Sequence, residues 1–327
     1  MPDMIGYGMA GMDLCLVLDH LPSPNEAVFV KEMSWQYGGT VTTGLCAARI
    51  LSGASCGMVT CVGGTVGKLV KADLVRHGID VSRTVECEDP EKTNRLTVVL
   101  TSLADGGSRS PCGLPFSYSP PHCPEEIDTD YLSTAKYIFV HRADIGQTKA
   151  AAFAHEHGIH VLMDADIFTP DIRKIMPYVD TFIASEKCFL GLTDGMNGTT
   201  EDKLRRLREY LPAHALAMVT MGDQGSFAVD DEGYFETPAF PVEVVDTAGC
   251  GDVFHGAFLA CLYRGFSHRE AARYSAAVSA IKATRLGCRA GIPTDEVVRT
   301  FLETGVIDYS KGIDERCAYY AAMPAFS

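Results

Sequence analysis

The segment 246–252, DTAGCGD, places an aspartate at each end of a loop in which two glycines flank a cysteine. The apolar residues that follow are spaced as one face of a helix, namely Phe254, Ala257, Phe258, Cys261 and Leu262. The loop therefore leads into a helix N-terminus, where free backbone N–H groups and the helix dipole favour an anion. Because glycine lets the backbone approach a phosphate closely, the pattern predicts an anion-binding loop.

Asp252, the last residue of this segment, has two interpretations. As an ordinary N-cap it would stabilise the helix by about 1 kcal/mol. The flanking glycines favour a second interpretation, since a cap needs no such loop, whereas a pocket for a transferring phosphoryl group does. There the carboxylate would accept the proton of an attacking hydroxyl, and the N–H groups would stabilise charge on the phosphoryl oxygens. The segment predicts phosphoryl transfer.

The elements that must position this loop alternate between strand and helix. Strand patterns occur at 56–62, 137–141, 160–163, 182–184, 217–220 and 242–245. Helical patterns occur at 43–51, 67–77, 148–157 and 201–211, and three more follow the loop. The second of these three begins at the capping box Ser267–Glu270 and ends at Gly287, and Thr294 caps the third. Such alternation predicts an α/β fold with a doubly wound, mostly parallel sheet covered by helices on both faces.

The N-terminal part follows another pattern. Its strands at 12–18, 27–33 and 95–101 do not all lie in strand–helix–strand units, and residues 103–125 form a Gly/Pro/Ser-rich segment expected to be loop. A small accessory sheet beside the main domain would explain them. The tail, 305–327, is rich in aromatic residues and methionine, so we expect it to pack on the protein.

Composition narrows the function classes. The chain has 327 residues and a net charge of -14, which argues against nucleic acid or an anionic membrane as partner. No stretch approaches the ~18 apolar residues of a membrane span, and the N-terminus lacks the pattern of a secretory signal. The 12 cysteines show no zinc-type spacing and are expected to be free thiols. We therefore expect a cytoplasmic protein.

Residues 246–254 resemble the second signature of the ribokinase-like (pfkB) carbohydrate kinases, DTxGAGD, with Cys250 in place of alanine. The resemblance extends over about 5–303. It implies a kinase domain at 1–304, with a β-sheet lid from about 11–44 and 91–125, followed by the tail at 305–327. It also implies that ATP donates its γ-phosphate to a sugar hydroxyl. Asp252 would be the general base, and the N–H groups of Gly249, Cys250 and Gly251 would form the anion hole.

On the acceptor side, the resemblance assigns sugar hydroxyls to Asp13 and closure over the sugar to Gly38 and Gly39. Thr43 stands where the family usually has an asparagine, and Thr40 stands where its ketohexokinase-like branch has an amide. Hydroxyls keep hydrogen bonding but change its reach and donor count. These positions are therefore the candidate determinants of acceptor specificity.

On the nucleotide side, Ser185 and Glu186 match the NxxE region that places Mg²⁺ and phosphates, Glu186 acting on the metal indirectly. Ser185 replaces the usual asparagine, and Cys188 replaces the motif's glutamate. The turn at 220–225 resembles the nucleotide-contacting turn of the family. Its candidate contacts are Thr220, Gly222 and Gly225.

Three further assignments come from the resemblance. Asp246 and the 287–291 loop resemble a site for a monovalent cation such as K⁺. Arg109, in a DGxR-type lid turn, either brings positive charge to the sugar or is a solvated loop arginine. Because lids of this family often pair subunits, the resemblance also implies a homodimer formed through the lid.

The function expected from these residues is an ATP-dependent kinase for a small carbohydrate, such as a ketose, a pentose or a sugar-acid relative. A nucleoside kinase of the same superfamily is the nearest alternative. A catalytically silent sugar- or nucleotide-binding regulator is another, and the departures at Thr43 and Cys188 motivate it.

Four other patterns suggest different chemistry. Residues 6–11, GYGMAG, fit a dinucleotide loop, but a strand pattern follows where a helix is required. Residues 53–57 fit GxSxG, but with a helix before and a strand after, opposite to a hydrolase. The spacing of His155, His157 and His160 gives no clean ligand face. Asp164 and Asp166 end a strand and either approach the ligand site or cap the following turn.

Overall fold

The computed structural model describes residues 1–89, 92–113 and 123–322. Nine strands of the described residues form the main sheet. In order across it they are β6 (Ile79–Asp80), β4 (Cys56–Val59), β1 (Met4–Tyr7), β10 (Tyr137–Val140), β11 (His160–Ala165), β12 (Thr181–Ser185), β13 (Leu216–Thr220), β14 (Ser226–Asp230) and β15 (Gly233–Thr237). The strands from β6 to β13 are parallel, and β14 and β15 are added antiparallel.

Helices cover both faces of this sheet. They are α1 (Thr40–Ser52), α2 (Gly64–Arg76), α3 (Thr129–Leu132), α4 (Ile145–Glu156), α5 (Glu186–Leu192), α6 (Thr200–Arg208), α7 (Cys250–Tyr263), α8 (His268–Ala283), α9 (Asp295–Thr304) and α10 (Ile313–Ala321). Short 3-10 segments lie at Pro170–Lys174, Met176–Tyr178 and Gly222–Gln224. Neighbouring strand residues belong to opposite cores: Leu162 packs in the α1/α7/α8 cluster, and Val161 and Met163 pack in the other. A sheet buried on both faces confirms the predicted doubly wound α/β class.

A second sheet stands beside the main one. Its four strands within the described residues are, in order, β3 (Glu32–Gly38), β2 (Gly11–Leu18), β8 (Arg95–Ser102) and β9 (Ser108–Gly113). Two short parallel strands, β5 (Cys61–Val62) and β7 (Val85–Glu86), pair with each other as a separate two-stranded sheet. The predicted small accessory sheet is confirmed, and we call these four strands the lid sheet.

Two predicted features of the lid are wrong in detail. The strand expected at 27–33 lies instead at 32–38, because pairing with β2 sets it in a register where Gln36 and Tyr37 are buried, whereas Phe29 is 92% exposed. Part of the segment expected to be loop, 103–125, is the edge strand β9. Backbone pairing with β8 stabilises this strand, and its sequence lacks the apolar pattern that would have predicted a strand. Residues 114–122 of that segment lie outside the described residues.

The chain around the 246–252 loop also differs from the prediction. Residues 242–245 form no strand; the N–H groups of Val245 and Asp246 donate to the carbonyl of Ala283 at the end of α8. That helix ends at Ala283, so Gly287 lies in the following loop, with a φ of 89°. The β14–β15 hairpin was not predicted, since its strands follow no crossover helix.

The tail packs as expected. Helix α10 buries Ile313 and Tyr320, and Tyr320 lies edge-on to Tyr37 of β3. Residues 40–44, placed in the lid from sequence, belong to α1, which packs along α7. All 12 cysteines are free, as expected. Among the described residues, no helix is both long and apolar enough to cross a membrane.

Candidate active site

The candidate site lies where the parallel strands end. Asp164 and Asp166 stand at the end of β11, Ser185 ends β12, and Thr220 ends β13. Strand β1 ends at Tyr7, and the chain then enters lid strand β2, which carries Asp13. Ligands of open parallel sheets bind at this carboxyl edge, so the topology brings the predicted residues to one place.

The 246–252 loop feeds α7 as predicted. Gly249 is the N-cap, with a left-handed φ of 76°, and a Cβ there would lie 2.9 Å from the Cα of Cys288. A Cβ on Gly251 would meet nothing within 4 Å, so open space lies in front of the first turn of α7. The N–H groups of Gly251 and Asp252 have no partner within the helix and are available to an anion. The N–H of Cys250, in contrast, donates to the carbonyl of Thr247 at 3.2 Å, which removes it from the predicted anion hole.

Asp246 fixes the conformation of this loop through buried hydrogen bonds. It is fully buried, and its carboxylate accepts hydrogen bonds from the N–H groups of Ala248 and Gly287, both at 2.8 Å. The buried Lys282 ammonium donates to the Asp246 carbonyl at 2.9 Å. Each Asp246 oxygen thus already accepts from a protein donor, and a fixed positive charge lies beside it. These contacts fix the Asp246 carboxylate but do not use all of its lone pairs, so a monovalent cation beside it stays a prediction.

Asp13 faces the loop from the lid sheet. A Cβ on Gly38 would lie 2.3 Å from the Asp13 Oδ2, so only glycine allows this carboxylate its position. Burial raises the pKa of the Asp13 carboxyl to about 6; a hydrogen bond from Thr97 acts against this, and the negative charge of Asp252 adds to it. The predicted acceptor-binding group and the predicted base therefore act on each other across one cleft.

Arg109 comes from the exposed edge strand β9, opposite Thr101 of β8. Desolvation acts to lower the pKa of its guanidinium, but the charge of Asp252 is the largest influence that raises it, and the net pKa is raised. The turn before Arg109 also contacts the loop, since the Thr247 hydroxyl donates to the carbonyl of Gly107 at 3.2 Å. Arg109 itself is exposed, so its two interpretations, a charge that faces the sugar and a solvated loop arginine, both stay open.

Asp164 and Asp166 lie beside Asp252. Burial raises the pKa of both carboxyls, and the charge of Asp252 raises each further, whereas Arg142 lowers them. Asp166 Oδ1 is buried and has no hydrogen-bond partner within the described part of the chain, whereas Asp164 Oδ2 is buried with His255 Nδ1 at 3.1 Å. The charge of Asp252 favours proximity to the ligand site and a backbone hydrogen bond from Ile167 to Asp166 favours a turn cap, so both interpretations stay open.

His255, one turn after Asp252, is also part of this environment. Its Nδ1 lies 2.6 Å from the carbonyl of Gly251 and 3.1 Å from Asp164 Oδ2. Burial lowers the pKa of the imidazole. Neither His255 nor Arg142 was found from sequence. Only their positions could have indicated them: Arg142 follows β10 at the same sheet edge, and His255 lies three residues after Asp252.

The residues of the NxxE-like region have structural partners. The Ser185 hydroxyl donates to the carbonyl of Asp166 at 2.8 Å and accepts from the N–H of Cys188, which makes Ser185 the N-cap of α5. Glu186 is exposed in the first turn of that helix. Cys188 is fully buried, so the position of the motif's glutamate belongs here to the core.

The predicted nucleotide turn connects β13 with β14. Thr220 is half-buried, and its hydroxyl donates to the carbonyl of Ala184 at 3.4 Å. Gly222 is exposed, with a φ of 56°. Gly225 has a φ of 88°, and a Cβ there would lie 2.1 Å from the carbonyl oxygen of Thr237. Gly225 therefore shapes the turn, whereas ligand contacts of Thr220 and Gly222 stay a prediction.

The two threonines on the acceptor side differ. Gly39, with a φ of 104°, is the N-cap of α1, and the half-buried Thr40 is its first residue. Thr43 is fully buried, and its hydroxyl accepts from Arg289 at 3.4 Å. The structure thus places Thr43 behind the turn that was expected to close over the sugar, and not on its open side.

The competing motifs are not sites of their own. Gly11 begins a strand, as the sequence indicated, and Ser55 lies between α1 and β4 with its hydroxyl bonded to Asp3 at 2.7 Å. Within the described ranges, no group of three His, Cys, Asp or Glu side chains could hold a metal ion, which excludes such a site at His155, His157 and His160.

Comparison with known proteins decides the family. A sequence model of the pfkB family of carbohydrate kinases matches residues 2–295. The chain belongs to this family. It is therefore a kinase, a phosphotransferase with an alcohol group as acceptor. The match ends at residue 295, so α10 lies beyond it.

Individual relatives cover nearly the whole chain. The ribokinase of Haemophilus influenzae is 22% identical over 303 residues, which is 90% of this chain and 97% of that protein. The ATP-dependent ribose-1-phosphate kinase of Halopiger xanaduensis is 25% identical over 310 residues, covering 91% and 97%. The crystal structure of ribokinase from Thermotoga maritima superposes with a TM-score of 0.75 at 24% identity, covering 93% and 100%. The likeness to that structure shows that the fold is ribokinase-like.

Proposed function

We propose that this protein transfers the γ-phosphoryl group of ATP to a hydroxyl of a small sugar, and that Asp252 is the base. The observation that carries the proposal is the open space before Gly251, next in sequence to Asp252, whose charge acts on the Asp13 carboxyl of the lid sheet. A phosphoryl group placed there meets free N–H groups of α7, and an acceptor hydroxyl held by Asp13 lies on the side of the base.

Each residue of the proposed site has its own role in the transfer. Asp13 accepts hydrogen bonds from sugar hydroxyls, and Gly38 and Gly39 bring the backbone close to the sugar. Asp252 takes the proton of the attacking hydroxyl. The N–H groups of Gly251 and Asp252 stabilise the developing charge. Arg109 adds positive charge from the lid.

The residues present fit Mg²⁺. Asp166 Oδ1 is a buried oxygen without a hydrogen-bond partner in the described structure, Asp164 Oδ2 is buried with His255 Nδ1 3.1 Å away, and Mg²⁺ prefers oxygen ligands. Because no three protein ligands cluster there within the described residues, phosphate oxygens and water would complete the shell. We therefore assign Mg²⁺ to Asp164 and Asp166, with Glu186 acting indirectly. When bound, the ion neutralises charge on the phosphates.

The nucleotide side rests on Thr220 and Gly222, with Ser185 and Gly225 shaping the strand ends around them. ATP is the proposed donor because a relative covering nearly the whole chain is named as ATP-dependent. A potassium requirement stays a prediction, and the Lys282 ammonium already supplies positive charge beside Asp246.

The acceptor class follows from the names of two relatives. One is a ribokinase and the other a ribose-1-phosphate kinase, so a ribose-type furanose is the first acceptor to test. Ketoses, sugar acids and nucleosides come next, since Thr40 stands where a ketohexokinase-like branch has an amide. The catalytically silent alternative is not favoured, because Asp252, Asp13 and the open loop are all present.

We also propose that the protein forms a homodimer through the lid sheet. Exposed apolar side chains on and before lid strand β3 support it, since Phe29 is 92% and Met33 59% exposed. A cytoplasmic location is likewise proposed. Sedimentation of the wild type against Met33→Glu would show whether the lid pairs subunits.

The test of the proposed function is ADP release with Mg-ATP across ribose, ribose 1-phosphate, ketoses, sugar acids and nucleosides, with and without K⁺. We expect a clear response to at least one acceptor, abolished in Asp252→Asn. Binding of ATP in a thermal-shift assay with no ADP release for any acceptor would contradict the proposal and favour the silent regulator.

A further inference from the structure

The largest fully buried side chain described is that of Arg289, in the loop between α8 and α9. Its guanidinium donates to the carbonyl of Gly38 at 3.1 Å and to the hydroxyl of Thr42 at 2.8 Å. The Thr42 hydroxyl itself donates to the same Gly38 carbonyl at 2.8 Å. The junction between lid strand β3 and helix α1 is therefore fixed by a charged group from a distant loop.

This junction carries the acceptor side of the site. Gly38 lies against the Asp13 carboxylate so closely that a Cβ would come within 2.3 Å of Oδ2. The Arg289 loop also contacts Asp13 directly, since Cys288 Sγ lies 3.8 Å from Oδ2. Any shift of the Gly38 carbonyl away from Arg289 would thus displace the group that we assign to the sugar.

Arg289 is held in turn by α2 and by the C-terminal helix. Its guanidinium pairs with the buried carboxylate of Asp73. The Tyr320 hydroxyl donates to the other Asp73 oxygen at 3.2 Å and lies 2.9 Å from His77 Nε2. Helix α10 also contacts the lid strand itself, where the Ser34 hydroxyl donates to the Tyr320 carbonyl at 3.4 Å.

Such a buried polar network is poorly explained by stability alone. A buried ion pair contributes little more than an apolar replacement of similar volume, because both charges lose their hydration. The network instead fixes the orientation of the groups that it joins. Arg289 donates to defined acceptors, and two of these acceptors, the Gly38 carbonyl and the Thr42 hydroxyl, lie at the β3–α1 junction. The helix that completes the network lies outside the part of the chain matched by the family.

We propose that α10 is a working part of the acceptor site. Tyr320, Asp73 and Arg289 form a relay that holds the Gly38–Gly39 turn, and through it Asp13, in the position that receives the sugar. They are positioning residues and do not contact the reacting atoms. The inference deepens the proposed function and rests on it for the role of Asp13.

The test uses Tyr320→Phe, which keeps the ring and its packing but removes the hydroxyl. Arg289→Gln is less suitable, since it would leave the buried Asp73 carboxylate unpaired and endanger folding. The matched control is Tyr319→Phe, one residue away on α10, whose ring packs on the Arg76 guanidinium at 3.8 Å. Both full-length variants are compared with the wild type by hydrogen–deuterium exchange and by kinetics.

In Tyr320→Phe, we expect amides of the peptide 36–44 to exchange about fivefold faster, the loss of roughly one hydrogen bond. The peptide 247–256, with the loop and the base, should keep its wild-type rate. The KM for the acceptor that responds best in the ADP-release panel should rise about fivefold, with the KM for ATP within about twofold of wild type. Tyr319→Phe should change none of these.

Faster exchange confined to α10 and the end of α2, with an unchanged acceptor KM, would overturn the proposal and leave Tyr320 a stabilising contact only. If the wild type phosphorylates no acceptor at all, the proposed function fails separately. The exchange at 36–44 still decides then whether Tyr320 holds the turn, because that measurement needs no acceptor.

Discussion

The two sides of the cleft are built in different ways. The phosphoryl side is local: one loop of seven residues sets the conformation of Gly249, the first turn of α7 and the place of Asp252. The acceptor side is assembled from distant segments, since Asp13 depends on Gly38, and Gly38 on Arg289, 251 residues later in the chain. A sequence motif therefore predicts the reaction type of this enzyme far better than it predicts which acceptor the enzyme uses.

The largest expected effect is at Asp252, the proposed base. Asp252→Asn removes the proton acceptor but keeps the size of the side chain, so turnover should fall by a factor of about 10² to 10⁴. ATP binding, measured by thermal shift, should be retained. A variant that keeps more than a few per cent of wild-type turnover would remove Asp252 from the role of base, and the phosphoryl side would lose its central group.

A pair of glycine substitutions tests whether the loop is shaped by packing or by ligand. Gly251→Ala adds a methyl group in open space, so stability should be kept while turnover falls about 10-fold to 100-fold, because the methyl occupies the place of the phosphoryl group. Gly249→Ala should instead lower the free energy of unfolding by about 1–3 kcal/mol, since its φ is 76° and Cys288 is in the way.

Chemical denaturation and kinetics of the two variants give the contrast directly. Equal losses of stability in both would mean that the space before α7 is not the ligand site.

Acid should weaken the acceptor side. Burial raises the pKa of Asp13 to about 6, so the carboxylate takes up a proton as the pH falls through that value and loses its capacity to accept from sugar hydroxyls. The acceptor KM of the wild type should rise about tenfold between about pH 7 and about pH 5. Asp13→Asn should raise the acceptor KM at all pH values and remove the pH dependence.

The same variant has a stability control. Ionised Asp13 lowers the free energy of unfolding, since its folded-state pKa lies above the unfolded value. Asp13→Asn should therefore melt no lower than the wild type at neutral pH. A pH-independent acceptor KM in the wild type would separate Asp13 from the sugar.

The smallest effect is expected at Ser185. Its hydroxyl caps α5 and bonds to the Asp166 carbonyl, so Ser185→Ala should cost about 1 kcal/mol of stability. The KM for Mg-ATP should change by less than about threefold. A tenfold rise with unchanged stability would make Ser185 a direct ligand, as the resemblance to the NxxE region implied.

Features set by local sequence could be predicted, and features set by distant contacts could not. The α/β class, the accessory sheet and the loop before α7 were predictable because each depends on periodicity or on a short segment. The edge strand β9 and the β14–β15 hairpin were not, since backbone pairing with a neighbour holds them without a distinctive apolar pattern.

The same limit applies to the site. Asp13, Gly38 and Asp252 were found through their motifs, whereas Arg289 and Tyr320 gave no local signal. Thr43, expected on the open side of the sugar turn, bonds instead to Arg289 behind it. Only the folded chain shows that partnership, because the two residues are 246 positions apart.

We propose that the lid sheet and the core form one site that delivers the phosphoryl group to a sugar. The ratio of sugar phosphate formed to ADP released by the wild type, with and without the best acceptor, tests this directly. We expect one sugar phosphate for each ADP, and release without acceptor at about 1% of that rate or less, since a site that positions the sugar hydroxyl favours it over water. ADP release at a similar rate without acceptor, and with no sugar phosphate formed, would contradict it.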